Sequence, residues 1–207
     1  MTARFLTLEG GEGVGKSTQL KALATALRER GLDVLETREP GGSPGAEAIR
    51  GLLLQGDIER WSASAEALLF AAARADHVAR TIRPALEGGQ WVLCDRFLDS
   101  SIAYQGIVGG VGAEQIRRLH EIGSGGFLPD CTLLLRLDAS DAALRTEARD
   151  GAGADRFGAR DGTYHARINA AFDELAETEP ARFRTVDAAG AAEIVTARLL
   201  AALEDLL

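Results

Sequence analysis

The segment GGEGVGKST, Gly10–Thr18, combines closely spaced glycines with a lysine and two hydroxyl side chains. A glycine, four further residues and then Gly15, Lys16 and Ser17 make the pattern of a phosphate-binding loop. Successive backbone N–H groups of such a loop surround phosphate oxygens, the lysine reaches the β- and γ-phosphates, and the serine hydroxyl can bind Mg²⁺. The loop residues predicted to hold the triphosphate are Gly10, Gly11, Glu12, Gly13, Val14, Gly15, Lys16, Ser17 and Thr18.

This loop indicates that a nucleoside triphosphate binds, but it does not identify the reaction. GTPases normally read their base with an Asn-Lys-x-Asp motif, whereas the single asparagine of this chain, Asn169, lies in RINAAF. Motor and transporter ATPases depend on large partner domains, and we expect a chain of 207 residues to have no room for them. We therefore favour a small kinase that passes the γ-phosphoryl group to a small acceptor.

Two clusters of charged residues follow predicted strands and are candidates for the acceptor side of the site. Arg38 begins REPGG, and a guanidinium group grips phosphate through two parallel N–H···O bonds. In WVLCDR, Asp95 is placed to act on Mg²⁺, directly or through water, and Arg96 to reach the transferring phosphates. Because ligands bind beyond the carboxyl ends of the strands in such sheets, both clusters are predicted to face one cleft. The alternatives are a surface arginine at position 38 and a structural Asp95–Arg96 pair.

Phe70 and Arg74 lie four residues apart in LLFAAARADH and therefore share one face of a predicted helix. Taken alone, a phenylalanine in an apolar stretch is more often a core residue. Taken together, the aromatic ring can stack on a base while the arginine binds a carbonyl on the edge of that base. Stacking of this kind contributes roughly 1–3 kcal/mol per base.

Strands and helices alternate along the chain, and the glycine loop lies between the first strand and the first helix. This order predicts a parallel sheet covered by helices on both faces, in one domain spanning residues 1–207. The glycine-rich, charged segment 151–162 is expected to be a mobile loop. The predicted strands are residues 4–9, 32–37, 91–95, 131–137 and 183–187. The predicted helices are residues 15–30, 46–54, 64–86, 113–122, 138–149, 163–177 and 191–206.

The composition restricts the class of partner that we expect. Hydrophobic residues make up 46% of the chain and charged residues 26%, and the formal net charge is −8. This balance is typical of a globular protein, and the charge predicts no broad nucleic-acid or membrane-binding surface. Cys94 and Cys131 lie in predicted strands and are interpreted as buried free thiols in a reducing cytosol. No apolar run approaches membrane-spanning length and no signal peptide is predicted, so we expect a cytoplasmic protein.

Six segments carry a resemblance that covers nearly the whole chain: EGGEGVGKST, TREPGGSPGAEAIR, LLFAAARADHV, DRFLDSSIAYQG, FLPDCTLLLRLD and, in the glycine-rich loop, DRF. In content and order they resemble the bacterial thymidylate kinases. The resemblance implies an α/β, P-loop NTPase-type three-layer fold, with a five-stranded parallel sheet flanked by helices and a short lid. It also implies transfer of the γ-phosphoryl group of ATP to dTMP, with Mg²⁺, usually by a homodimer.

The same resemblance implies which side chains bind dTMP. Phe70 would stack on thymine and Arg74 would bond its edge, while Ser101 and Gln105 would line the base pocket. Tyr104 would pack against the deoxyribose where a 2′-hydroxyl would otherwise lie, which would disfavour ribonucleotides. The residues implied to bind dTMP are Glu12, Arg38, Phe70, Arg74, Arg96, Ser101, Tyr104 and Gln105.

Three further roles concern the phosphates and the metal. Arg38 and Arg96 would hold the dTMP phosphate. Glu12, a carboxylate within an anion-binding loop, would turn toward the acceptor, where it can accept a hydrogen bond from the 3′-hydroxyl or contact water on Mg²⁺. Ser17 and Asp95 would bind Mg²⁺, directly or through water.

Phosphoryl transfer needs positive charge on the transferring group, and an arginine can supply ~10³–10⁵ in rate. Some members of the family carry this arginine in the phosphate-binding loop, but this loop has none, so the lid at about 149–162 is expected to provide it. We favour Arg149 as this residue, acting with Lys16 and Arg96, and Arg156 as an ATP contact on the adenine or phosphate side. The candidates considered are Arg145, Arg149, Arg156 and Arg160.

Two other interpretations of the sequence stay open. The chain could be a kinase for another nucleoside monophosphate or for a deoxynucleoside. It could also be a regulatory module that binds nucleotides without catalysis, although the presence of Lys16, Ser17, Asp95 and Arg96 disfavours this second alternative.

Overall fold

The computed structural model of the protein describes residues 2–138, 140–142, 144–145, 156–158 and 160–207. Within these residues, five parallel strands form one sheet in the order β2-β3-β1-β4-β5, which confirms the expected five-stranded parallel sheet. The strands are β1 (Phe5–Glu9), β2 (Val34–Arg38), β3 (Trp91–Asp95), β4 (Cys131–Arg136) and β5 (Phe183–Asp187).

Helices connect the strands, and several begin with the side chains that helix N-termini favour. The helices in the described ranges are α1 (Lys16–Glu29), α2 (Pro44–Leu54), α3 (Ala63–His77), α4 (Arg83–Glu87), α5 (Leu98–Ser101), α6 (Ala113–Ser124), α7 (Gly162–Thr178) and α8 (Ala192–Ala202), with helical pieces at 140–142 and 144–145. Ser43 caps α2 by accepting a hydrogen bond from the N–H of Ala46 at 3.3 Å. Asp161 caps α7 by accepting from the N–H of Tyr164 at 2.8 Å.

Two apolar cores lie on opposite faces of the sheet, because successive side chains of a strand point in opposite directions. Leu6 and Leu8 of β1 belong to the core beneath α1 and α8. Phe5 of the same strand belongs to the other core, which lies beneath α3 to α7. The helices thus cover both faces, as the alternating strand and helix pattern predicts.

The carboxyl ends of β1, β2 and β3 bring the predicted site segments together. Arg38 is paired with Asp95 across β2 and β3, and Asp95 is paired with Leu8 across β3 and β1. Because the strands are parallel, the residues that follow them lie at the same edge of the sheet. The phosphate-binding loop, Arg38 and Arg96 therefore meet there.

The long helix predicted at 64–86 is interrupted. After α3 a π-helical segment, Val78–Ile82, precedes α4, and the N–H of Arg83 bonds to the carbonyl of Val78. Pro84 follows directly and has no N–H to donate, so a regular α-helical hydrogen bond is unavailable at that position.

The sequence pattern does not predict the helix α5, which continues into a π-helical segment, Ile102–Val108. Its serines and glycine are weak helix formers. Leu98 and Ile102 are nevertheless buried in the core beneath α3 to α7, so packing stabilises this helix. Half of the predicted helix 138–149 and half of the predicted loop 151–162 fall outside the described residues. Among the helices that the structure does describe, none has both the length and the apolar character needed to cross a bilayer.

Candidate active site

The phosphate-binding loop joins the end of β1 to the start of α1, as its pattern predicts. Gly10 has a φ of 134° and Gly15 a φ of 93°, left-handed values that glycine adopts without steric cost. A Cβ atom on Gly10 would lie 2.5 Å from the backbone oxygen of Leu135, so a side chain has no room there. The residue before α1 is a glycine, so no capping side chain binds the first N–H groups of the helix. These N–H groups are therefore available to bind an anion.

Lys16 is held inside this loop and is only 7% exposed. Its Nζ donates to the carbonyl oxygens of Gly10, at 3.1 Å, and Gly11, at 2.6 Å. Burial, together with the positive charge of Arg96, lowers the pKa of Lys16 to about 8. The ammonium group therefore occupies a site where phosphate oxygens could replace two carbonyl partners.

Ser17 and Asp95 form a pair that fits a magnesium ion. Ser17 Oγ donates to Asp95 Oδ2 at 2.7 Å. The other carboxylate oxygen, Oδ1, is buried and has no hydrogen-bond partner in the part of the chain that the structure describes. Mg²⁺ prefers oxygen ligands and is commonly bound by one or two carboxylates together with substrate phosphates.

Arg96 explains how the loop tolerates the negative charge of Glu12. Its Nη2 donates to Glu12 Oε1 at 2.6 Å, and its Nη1 donates to the carbonyl oxygen of Gly10 at 3.1 Å. The guanidinium group also lies over the ring of Tyr104, 5.1 Å from the ring centroid. Glu12 is thus directed toward Arg96 and Tyr104, two residues that the sequence assigns to the acceptor.

Arg38 lies at the carboxyl end of β2 and is among the more exposed residues of the site. Its Nη2 lies 3.0 Å and 3.2 Å from the two carboxylate oxygens of Glu47. Glu47 also accepts from the N–H of Gly42 at 2.9 Å, so the loop REPGG and α2 hold the arginine in place. An anionic ligand would compete with Glu47 for this guanidinium group.

Arg74 is 2% exposed and is fixed by three groups from distant segments. Its Nε donates to Glu39 Oε2 at 2.7 Å, and its Nη2 donates to Ser101 Oγ at 2.6 Å and to the carbonyl oxygen of Phe97 at 3.2 Å. Within the described residues, Nη1 makes no hydrogen bond and therefore stays available as a donor. Phe70 and Gln105 line the same cleft, so the predicted base-binding residues are brought together.

One cleft of about 710 Å³ connects the phosphate-binding loop with these acceptor-side residues. Gly10, Gly11 and Arg156 are not among the residues that line it. The predicted site residues that do line it are Glu12, Gly13, Val14, Gly15, Lys16, Ser17, Thr18, Arg38, Phe70, Arg74, Asp95, Arg96, Ser101, Tyr104 and Gln105.

Of the candidate lid arginines, Arg145 lies next to the phosphate-binding loop. Its Nη1 is 3.7 Å from the position of a Cβ atom on Gly15, and its Nη2 donates to the carbonyl oxygen of Ala188 at 3.4 Å. Arg149, the favoured catalytic arginine, lies outside the described residues. Its assignment therefore stays a prediction from the sequence.

Arg156 lies elsewhere, near the end of α2. Its Nε donates to the carbonyl oxygen of Asp57 at 2.7 Å, and its Nη1 to that of Leu53 at 2.8 Å. Its Nη2 donates to the carbonyl oxygen of Ile58 at 2.7 Å and to Glu66 Oε2 at 3.2 Å. The predicted ATP contact of Arg156 would require these bonds to break.

Known proteins resemble the chain along its whole length. The thymidylate kinase family model matches residues 8–199. The thymidylate kinase of Rhizorhabdus wittichii is 66% identical over 207 residues, which cover 100% of both chains. The chain belongs to the thymidylate kinase family. Phosphoryl transfer from ATP to dTMP is the reaction of thymidylate kinases, so the chain is assigned to an enzyme family.

Two further thymidylate kinases agree with this assignment. That of Caulobacter vibrioides is 50% identical over 195 residues, 94% of this chain and 93% of that protein. The crystal structure of the Ehrlichia chaffeensis thymidylate kinase superposes with a TM-score of 0.79 at 29% identity, covering 99% of this chain and 100% of that one. The family resemblance and the fold class inferred from the sequence are both confirmed.

Sequence reasoning missed one aromatic residue of this thymidylate kinase cleft. Phe157 is 7% exposed and lines the cleft, with its ring centroid 5.9 Å from that of Phe70 and 6.0 Å from that of Tyr104. Phe157 belongs to DRF, one of the six segments that resemble thymidylate kinases. However, the residue pattern of a glycine-rich segment does not predict that one of its side chains packs against α3.

Glu9, the last residue of β1, is a second residue that the sequence did not single out, and it is fully buried. Its Oε1 accepts from the N–H of Phe97 at 2.8 Å, and its Oε2 accepts from the Ser100 hydroxyl at 2.6 Å. These bonds stabilise the turn in which Arg96 has a left-handed φ of 67°. Burial, followed by the negative charge of Asp99, raises the pKa of Glu9 to about 7.

The raised pKa of Glu9 predicts how stability changes with pH. The folded protein holds this proton up to about pH 7, whereas the ordinary pKa of a glutamate is 4.5. The resulting stabilisation is complete below pH 4.5 and is lost as the pH rises through 7. Relative to a Glu9→Gln variant, which cannot ionise, the free energy of unfolding should fall by up to roughly 3 kcal/mol across this range. Urea unfolding of both proteins at pH 5 and pH 8 measures this, and an equal difference at the two values would contradict it.

Proposed function

We propose that this protein transfers the γ-phosphoryl group of ATP to dTMP, giving ADP and dTDP for dTTP synthesis. The observation that supports this most directly is the single cleft lined both by the phosphate-binding loop and by Phe70 and Arg74. In-line transfer requires two nucleotides whose phosphates face each other, and such a cleft can hold them. The whole chain, residues 1–207, would act as one nucleoside monophosphate kinase domain with a lid at about 149–162.

On the ATP side, the backbone N–H groups of the loop would surround the β- and γ-phosphates. Lys16 would exchange its carbonyl partners, Gly10 and Gly11, for phosphate oxygens. The ammonium group is already buried near the loop, so little of its solvation would be lost when ATP binds. This favours stabilisation of the negative charge on the transferring group.

Mg²⁺ is the cofactor that fits this site, held by Ser17 and Asp95. The described residues contain no group of three or more His, Cys, Asp or Glu side chains placed to hold a metal ion. We therefore expect Ser17 and Asp95 to act together with phosphate oxygens. When bound, the ion would neutralise charge on the β- and γ-phosphate oxygens.

On the acceptor side, Arg38 and Arg96 would hold the dTMP phosphate, each through a guanidinium group that already binds a carboxylate. Phe70 would stack on thymine, and Arg74 would donate from Nη1 to a carbonyl oxygen of the base. Tyr104 would pack against the deoxyribose. These roles follow the sequence resemblance and are supported by the positions of the residues around one cleft.

We also propose that the enzyme is a cytoplasmic homodimer that binds neither nucleic acid nor membranes. Leu68 on α3 is 56% exposed and Ile122 on α6 is 84% exposed, and these two helices pack against each other. Exposed apolar side chains on neighbouring helices favour an interface with a second copy. A monomer mass in sedimentation equilibrium would contradict the homodimer.

Analysis of the products tests the proposed reaction. Purified protein is incubated with ATP, Mg²⁺ and dTMP, and the nucleotides are separated by chromatography. Equimolar ADP and dTDP are expected, with no ADP when dTMP is omitted. ADP without dTDP would indicate an ATPase, and no ADP at all would indicate a binding module.

Glu12→Gln is expected to impair dTMP use more than ATP binding. The Glu12 carboxylate is directed toward Arg96 and Tyr104 and, by resemblance, can accept from the 3′-hydroxyl of dTMP. Loss of a hydrogen bond to a charged group corresponds to about 10-fold or more in KM for dTMP. KM for ATP should change less than about two-fold. Steady-state kinetics with each substrate varied in turn measures both, and equal losses would mean that Glu12 serves the two nucleotides alike.

A further inference from the structure

Glu66 is a carboxylate buried in the first turn of α3, between Arg156 and Gln105. It is 9% exposed. Its Oε2 accepts from Arg156 Nη2 at 3.2 Å, and its Oε1 accepts from Gln105 Nε2 at 3.0 Å. One side chain therefore connects an arginine of the DRF segment to a residue that lines the acceptor end of the cleft.

Arg156 is fixed firmly enough to hold Glu66 in one orientation. Three carbonyl oxygens from residues 53–58 accept from its guanidinium group at 2.7–2.8 Å, and the residue is 4% exposed. Burial of the Glu66 carboxylate would be costly without this partner. The ion pair thus leaves Oε1 as the group that Gln105 meets.

The chemistry of a carboxylate decides the orientation of the Gln105 amide. An amide offers donors on nitrogen and an acceptor on oxygen, and the two ends are assigned from the hydrogen-bond network. Because Glu66 accepts from both partners, Gln105 presents its nitrogen to Glu66. Its Oε1 has no hydrogen-bond partner within the described residues and is left for a ligand.

We propose that Glu66, held by Arg156, is a positioning residue that makes Gln105 present an acceptor to the base of the acceptor nucleotide. This inference deepens the proposed function and rests on it. With Nη1 of Arg74 as a donor, the cleft that both residues line offers a donor as well as an acceptor. That pattern complements a carbonyl next to an N–H, as on thymine, and opposes the amino group and bare ring nitrogen of cytosine. An unpaired polar group in a buried site is the basis of strong discrimination.

The test is a Glu66→Gln variant, assayed with dTMP and with 5-methyl-dCMP. Arg156 would bond to the new amide oxygen, so an N–H group would face Gln105. The Gln105 amide would then rotate and present its nitrogen to the base. We expect the ratio of kcat/KM for dTMP to that for 5-methyl-dCMP to fall at least ~10-fold, with a rise in the absolute 5-methyl-dCMP value. Loosening of the pocket alone would lower both values.

Glu121→Gln, at an exposed position on α6, is the matched control and should keep the wild-type ratio. A Glu66→Gln ratio within about two-fold of wild type would overturn the inference. If that variant does not fold, a wild-type ratio near one would still overturn the inference, since it would show that no acceptor faces the ring nitrogen. Gln105→Leu adds a second check, because a preserved ratio there would also overturn the inference. Failure of the wild type to phosphorylate dTMP would instead refute the proposed function.

Discussion

Replacing Arg149 by alanine is expected to lower kcat at least ~10²-fold with little change in KM for ATP. A contact made mainly in the transition state contributes to the rate and not to binding of the ground state. The phosphate-binding loop contains no arginine, and Arg96 already binds Glu12 on the acceptor side. We therefore expect the additional positive charge on the transferring group to come from the segment that contains Arg149.

Arg145→Ala is the comparison that makes this result specific. Arg145 lies between Gly15 and Ala188, on the ATP side of the cleft. Its loss should raise KM for ATP and lower kcat less than ~10-fold. Steady-state assays of both variants at saturating dTMP separate the two roles. An unchanged kcat in Arg149→Ala would rule out that residue, and a large kcat loss in Arg145→Ala would move the catalytic role there.

Lys16→Met should lower kcat by on the order of 10²–10³-fold, because a preorganised charge in a site that excludes water stabilises the transition state strongly. Methionine has nearly the length of lysine but no charge, so the packing around a residue that is 7% exposed is largely kept. Steady-state turnover and thermal unfolding should be measured on the same preparation, since the expected result is a low rate in a folded protein.

The chain provides a matched control for this variant, because its other lysine, Lys21, is exposed on the same helix. Lys21→Met removes an equal charge and should keep wild-type kcat. If Lys16→Met retained more than about a tenth of wild-type kcat, Lys16 would not be the principal contact to the phosphates.

The parts of the structure that depend on local patterns could be predicted from the sequence. The strands β3 and β5 have the predicted limits: β3 is a short apolar run that ends in Asp95, and β5 contains Phe183, Thr185 and Val186, residue types that favour strands. The loop before α1 is dictated by glycines at positions of left-handed φ. Once these elements were known to be parallel, the meeting of Arg38, Asp95 and Arg96 at one edge followed from topology alone.

Contacts between distant segments could not be predicted in this way. Arg156 lies in a glycine-rich stretch that suggests a lid, yet its guanidinium group binds carbonyl oxygens of residues 53–58, about 100 positions earlier. Glu66 appears in the sequence as a favourable acid in the first turn of a helix, and nothing local indicates its two buried partners. The helix at α5 likewise depends on burial against the core rather than on helix propensity.

A panel of acceptors tests the central claim most directly. ADP release from ATP is followed with dTMP, dUMP, UMP, AMP and thymidine, each over a range of concentrations. The account predicts the highest kcat/KM for dTMP and at least ~10-fold lower values for UMP and AMP, because the pocket complements a pyrimidine deoxynucleotide. A preference for AMP or thymidine, or no turnover with any acceptor, would contradict it.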